Sequence, residues 1–392
     1  MKLYTPAFAA LFLANLALVS SFAAFFLFPL FILERGGNDR DIGIIMGIFA
    51  LASALCRPWV AEMIDRIGRK RSFSTGCAIM TLLPLLHLML RGPLENYYTA
   101  LLLLRVVHGI GLAICFTSVF TFIIDLIPVH RLNEGIGIFG TSGLIGLAIG
   151  PLLTEPIMLR YGFSAFFLTT SALAAVAFLC HLPVPDQHRL LRTGVLPSPS
   201  FFALLKTRKM LISGGIALLF GIGLAATGNF IAPFAQSKNL SYISIYFFAY
   251  AGAAVLTRIF LGRLADRVGE NQIIPWGLAI AAGGLILVPL VQTNTLLLMV
   301  GFLFGIGHGL LFPALNALAI RDEPYATRGK VTGIFTGGID SGAFIGAILL
   351  GIIGDLVGYA SLFVCAAVLL SGGHLLLRFQ RPPRGGSRTV PT

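Results

Sequence analysis

Charged residues are scarce in this sequence. Asp, Glu, Lys and Arg make up 11% of the 392 residues, against about a quarter in a soluble domain, so water alone is not the solvent of this fold. Cysteine is scarce too. The five (Cys56, Cys77, Cys115, Cys180 and Cys365) all fall inside apolar stretches and match no metal-ligand spacing. They read as small buried hydrophobes and exclude a disulfide framework. Also missing are a phosphate-binding glycine loop, a nucleophile elbow, a zinc-spaced His/Cys set and paired carboxylates in a polar loop. Those absences exclude ATP hydrolysis and the familiar hydrolytic chemistries. The chain is expected not to be an enzyme and to use no cofactor.

What is abundant is apolar sequence. Hydrophobic residues reach 57% and the mean hydropathy is +0.90. A bilayer core of about 30 Å takes roughly 20 apolar residues per helix. Twelve spans fit the pattern, at 6–33, 42–63, 72–91, 96–127, 133–158, 163–182, 209–236, 242–265, 271–291, 295–320, 329–354 and 359–379. The first is too long for a cleaved leader and reads as a retained helix. The expected class is an all-α membrane protein of twelve transmembrane helices.

The formal net charge of +12 is a matter of topology. With the N-terminus inside, 20 Lys/Arg fall in inner loops and tails and five in outer loops (Arg35, Arg40, Arg91, Arg160 and Lys238). That bias is the positive-inside pattern and predicts both termini in the cytoplasm, with no role in nucleic-acid binding. One polar break, 183–208, carries Pro183, Pro185, Pro197 and Pro199 and bisects the chain. Residues 1–182 are expected to form one six-helix bundle and 209–379 a second. The break is a cytoplasmic linker ending in a short amphipathic helix from Phe201, and 380–392 is a basic, disordered tail.

The halves repeat each other. Arg57, Asp65, Arg66 and Gly68 recur as Arg258, Asp266, Arg267 and Gly269 at a constant offset of 201 residues. His108-Gly109 recurs as His308-Gly309 at offset 200, and Gly137-Ile138-Phe139 as Gly333-Ile334-Phe335 at 196. Transporters are commonly built from such repeats, with the substrate site where they meet.

After the second span the chain reads Ala61-x-x-x-Asp65-Arg66-x-Gly68-Arg69-Lys70, and after the eighth Gly262-x-x-x-Asp266-Arg267-x-Gly269. Here it resembles the major facilitator superfamily, whose loop signature is Gly-x-x-x-Asp-Arg/Lys-x-Gly-Arg-Arg/Lys. The resemblance implies two pseudo-symmetric six-helix bundles. It also implies that Asp65 latches to the positive N-terminal end of the eleventh helix in the outward-open state. Leu101-x-x-x-Arg105-x-x-His108-Gly109-x-Gly111 resembles the family's fourth-helix motif, with histidine in place of glutamine. It implies a part for Arg105 in proton coupling. A guanidinium at that depth needs a cavity or a partner, and His108 and His308 read as hydrogen-bonded core histidines or cavity lining. Gly146-x-x-x-Gly150-Pro151 resembles the fifth-helix motif of the family's antiporters, although Thr154-Glu155 stands where two glycines are usual.

Other candidates follow from the residues themselves. Arg57 and Arg258 are repeated near inner helix ends and read as architecture, pairing with carbonyls or carboxylates. Asp125 is expected in one rim network with Asp65 and Arg66. Asp340 lies near mid-bilayer with no adjacent base in sequence, which makes it a candidate for proton or cation binding or else a hydrogen-bonded structural acid. Asn15, Asn229, Asn316, Tyr246 and Tyr250 are candidate polar lining of the cavity, with Arg105, His108, His308 and Asp340.

The function these features imply is secondary active transport by alternating access, with a proton gradient as energy source. Efflux of a small organic molecule is favoured over uptake by a symporter or facilitator. A non-transporting receptor or membrane enzyme would want a soluble domain or a polar catalytic cluster. The expected setting is a bacterial inner membrane and the expected state a monomer, with a small molecule, protons and lipid as partners.

Overall fold

The computed structural model describes residues 3–128, 131–185, 199–321 and 323–380, and for 132–133, 262–267, 325–326, 328–329 and 380 the backbone alone. The chain spans a membrane as helices. In the first bundle these are α1 (Pro6–Glu34), α2 (Asp39–Ile67), α3 (Arg69–His87), α4 (Leu94–Leu126), α5 (132–161) and α6 (163–181). In the second they are α7 (Arg208–Ser237), α8 (Ser244–Val268), α9 (Glu270–Leu287), α10 (Asn294–Ile320), α11 (Tyr325–Val357) and α12 (Tyr359–Phe379). Among the described residues no strand occurs. A continuous helical path is what hydrocarbon demands, because every backbone polar group must be satisfied within its own segment.

The local sequence explains where helices begin and turn. Thr5 caps α1, its hydroxyl accepting the Phe8 N–H at 3.2 Å with Pro6 in the first turn. Asn38 and Asp41 form a reciprocal capping box at the start of α2, which satisfies two otherwise orphaned donors. Six junctions carry a glycine at positive φ: Gly36 (87°) between α1 and α2, Gly68 (91°) between α2 and α3, Gly92 (88°) between α3 and α4, Gly162 (76°) between α5 and α6, Gly269 (86°) between α8 and α9, and Gly358 (91°) between α11 and α12. Side-chain-bearing residues rarely adopt that conformation. Gly68 and Gly269 are 201 residues apart, and Gly162 and Gly358 are 196 apart. These four turns therefore obey the same two offsets as the sequence repeats, whereas Gly36 and Gly92 have no glycine counterpart in the second half.

Close packing repeats as well. On α5, Gly146 and Gly150 lie against the α1 backbone, where a Cβ on Gly146 would come within 2.8 Å of the Leu16 carbonyl oxygen. Their counterparts 196 residues on, Gly342 and Gly346 of α11, lie against α7, where a Cβ on Gly342 would collide with the Leu218 carbonyl. Without a hydrophobic force between helices in lipid, such small-residue contacts are what brings backbones together. Pro151 continues α5 one residue beyond Gly150.

Leu3 and Gln380 mark the terminal face of the bundle pair, and the α1–α2, α7–α8 and α11–α12 turns the distal face. Of the linker, 186–198 lies outside the described residues, as do Asp266's side chain and the tail beyond Gln380. The linker's end forms a short helix, Phe201–Leu205, capped by Ser200, with Phe202 exposed and Leu204 buried.

Candidate functional site at the bundle interface

Among the described residues three polar links join the bundles. Two are on the distal half. The buried Glu155 carboxylate of α5 accepts the Ile243 N–H at 2.7 Å and the Ser244 N–H at 2.8 Å, at the start of α8. The Tyr359 hydroxyl of α12 donates to Asp39 Oδ1 of α2 at 2.8 Å. Apolar contacts close the same face: Phe26 and Phe247 stack at 5.0 Å, and Gly43 of α2 lies against Ala347 and Gly351 of α11.

The third link is deeper in the membrane. Arg57 of α2 donates from Nε (2.8 Å) and Nη2 (2.5 Å) to Asp340 Oδ2 of α11. The side chains remain 29% and 22% exposed, so the pair borders an accessible space. The remaining ion pairs between described residues stay within one bundle: Arg66–Glu62, Arg69–Asp125 and Arg131–Glu134 in the first, Lys209–Glu323 and Arg321–Glu270 in the second.

These contacts bear on three sequence expectations and correct one of them, the partner of Asp125. Asp340 does have an adjacent base, Arg57, which sequence could not reveal because 283 residues separate them. Asp125 pairs with Arg69 and not with the Asp65–Arg66 pair. Asp65 is exposed and forms no ion pair or hydrogen bond with a described residue.

Arg105 is surrounded differently from Arg57. It is 1% exposed and meets no carboxylate among the described residues. Its guanidinium carbon stands 4.4 Å from the Phe49 ring centroid, 5.3 Å from Phe28 and 5.5 Å from Phe25. Its polar contacts are His108 Nδ1 at 3.0 Å, Met46 Sδ at 3.3 Å and the Ile45 carbonyl at 3.5 Å. Three ring faces and a neutral imidazole acceptor take the place of a counter-ion. His87, which sequence reading passed over, packs on the Phe25 and Phe28 rings of this nest.

The other candidates divide between the bundles. Asn15 Nδ2 donates to Ser142 Oγ at 2.7 Å, leaving Oδ1 without a partner. In the second bundle the Tyr250 hydroxyl is hydrogen-bonded to His308 Nδ1, and Tyr246 stacks on Tyr250 at 6.4 Å. Asn316 Oδ1 is buried without a partner, and half-buried Asn229 makes no hydrogen bond to a described residue. A distal cavity of about 590 Å³, lined by Leu30, Glu34, Glu155 and Ser241 among others, lies away from Arg57 and Asp340. Glu155 carried a signal in sequence, a carboxylate where the antiporter motif has glycine, but its partners were invisible.

The Major Facilitator Superfamily model matches residues 10–322 and 216–392. The chain belongs to the major facilitator superfamily. It is 26% identical to the multidrug resistance protein MdtG of Klebsiella pneumoniae over 379 residues, covering 92% of this chain and 90% of that one. It is 24% identical to the staphylopine export protein of Staphylococcus aureus over 368 residues, covering 90% and 91%. The nucleoside transporter NupG superposes with a TM-score of 0.77 at 14% identity, covering 95% of this chain and 98% of NupG. This facilitator is therefore an integral membrane transporter of small molecules, not an enzyme, and its twelve helices form the superfamily's two-bundle fold.

Proposed function

We propose that this facilitator exports a small organic molecule in exchange for protons, with Asp340 as the proton-carrying group and Arg57 as its switchable partner. The observation that carries this reading is the Arg57–Asp340 pair, which among the described residues is the one polar link between bundles that sits deep in the membrane and still borders an accessible space. A charge pair shared by two moving bodies ties the protonation of one group to the position of both. While Asp340 is ionised the pair draws α2 and α11 together. A protonated Asp340 loses most of that attraction and lets the bundles part. The similarity to a multidrug resistance protein and to a staphylopine export protein supports export over uptake. The lysine and arginine bias supports a bacterial plasma membrane with the terminal face in the cytoplasm, and a monomer suffices because both bundles are in one chain.

The test is transport in reconstituted vesicles with an imposed pH gradient. Asp340→Asn is expected to keep substrate exchange and to lose uphill, pH-driven transport. If Asp340→Asn still concentrates substrate against its gradient, Asp340 serves packing and the coupling site lies elsewhere.

A further inference from the structure

Arg57 and Arg258 hold equivalent places in the two halves, and each reaches from its own helix toward the facing helix of the other bundle. The outcomes differ. Arg57 meets Asp340 on α11. Arg258 of α8 ends beside Gly140 on α5, its Nη1 3.5 Å from the point a Cβ on Gly140 would occupy. Nothing else stands within 4 Å of that point. The 196-residue offset that relates α5 to α11 puts Leu144 where the second half has Asp340. The repeat therefore supplies one arginine with a carboxylate and leaves the other facing a glycine gap.

Among the described residues Arg258 forms no ion pair and no hydrogen bond, and its Nε is buried without a partner. Its guanidinium carbon lies 5.7 Å from the ring centroid of Phe312 on α10. One turn further along α10, Asn316 presents an unpartnered buried Oδ1. One turn along α5 from Gly140, Asn15 approaches Gly143, with its Nδ2 3.8 Å from the Cβ point there. A guanidinium within a membrane segment pairs with a carboxylate or faces a wet cavity, and its planar fork suits a two-oxygen anion.

We propose that Arg258 recognises the transported solute and takes from it the carboxylate that α5 lacks. The cargo is an organic anion, a carboxylate or comparable oxyanion, with an aromatic body that lies along Phe312. This names the substrate class for the export reading above. It accounts for the asymmetry between the halves: the Arg57 side keeps its own acid for coupling, and the Arg258 side leaves its place to the cargo.

The gap at Gly140 provides the test. Gly140→Asp sets a carboxylate beside Arg258 from within the chain, and Gly140→Asn sets an uncharged group of the same size there. Binding of 2-naphthoate, 2-naphthamide and 2-naphthylmethylammonium to the purified full chain in detergent is measured by thermal shift and by titration. Unmodified protein is expected to bind naphthoate in preference to the amide and the amine. Arg258→Gln and Gly140→Asp are each expected to weaken naphthoate binding by about tenfold or more, the loss of roughly one charge-assisted contact. Gly140→Asn fills the same gap without supplying a charge, so it is expected to weaken naphthoate binding less than Gly140→Asp does. The unfolding temperature of Gly140→Asp in the absence of ligand verifies that it folds; Arg258→Gln gives the same reading without a new group on α5. The proposal is overturned if naphthoate fails to bind unmodified protein at millimolar concentration, if the amide or amine binds as well, or if both variants bind as before. Binding in detergent needs neither a gradient nor a direction of transport, so loss of proton coupling and loss of anion recognition register separately.

Discussion

Glu155 on α5 accepts the Ser244 backbone N–H at 2.8 Å, so a carboxylate of one bundle caps the first turn of a helix in the other. With the Ile243 N–H at 2.7 Å it satisfies two donors that the helix start leaves open, and its charge opposes the positive end of the helix dipole. This is a distal counterpart of the Asp65 latch that the family pattern implies for the opposite face. Glu155→Gln keeps one acceptor and loses the charge. A hydrogen bond to a charged group contributes about 1.5–3 kcal/mol, so the closed distal face should lose roughly tenfold in population. Labelling of Leu30→Cys by a membrane-impermeant maleimide is the readout, because Leu30 is buried and lines the distal cavity. Unchanged labelling in Glu155→Gln would show that the clasp does not hold this face shut.

Asp65 should separate stability from transport. It is exposed and unpaired with any described residue, and a surface change of that kind moves stability by no more than about 0.5 kcal/mol. Asp65→Asn is expected to leave the unfolding midpoint in detergent unchanged while reducing vesicle transport severely. A mutant with wild-type transport removes the latch from the mechanism.

The Arg105 nest distinguishes shape from charge. Lysine carries the charge of arginine but not its flat, three-sided contact with Phe25, Phe28 and Phe49. Arg105→Lys is expected to lower both the unfolding midpoint and transport. His108→Gln, which installs the residue usual in the family motif, keeps an acceptor for Arg105 Nη1 and should retain transport within about twofold, a change well under 1 kcal/mol. Equal losses in the two variants would argue against this division of labour.

Two glycines of α11 give a packing contrast. A Cβ on Gly342 would collide with the Leu218 carbonyl of α7, whereas Gly337 has nothing within 4 Å of its Cβ point. Overpacking costs about 1–3 kcal/mol. Gly342→Ala should therefore fall in unfolding midpoint and folded yield, and Gly337→Ala should not, as detergent melting curves will report.

Sequence alone determined the membrane class, the twelve spans and the two-fold repeat, because each rests on local or periodic properties. An apolar run must be helical in lipid wherever it lies, and glycine at positive φ marks a turn whatever surrounds it. The offsets of 201 and 196 residues, read from Arg57/Arg258 and Gly137/Gly333, reappear in the turns at Gly68/Gly269 and Gly162/Gly358. Pairings were a different matter. Asp340 and Arg57, or Glu155 and Ser244, are brought together by how two bundles meet, a relation between surfaces far apart in the chain. Sequence marked the isolated charges as costly, but several partners would have satisfied each of them. Only the tertiary structure chose among those partners, giving Asp340 to Arg57, Asp125 to Arg69 and aromatic rings to Arg105, and leaving Arg258 opposite a glycine.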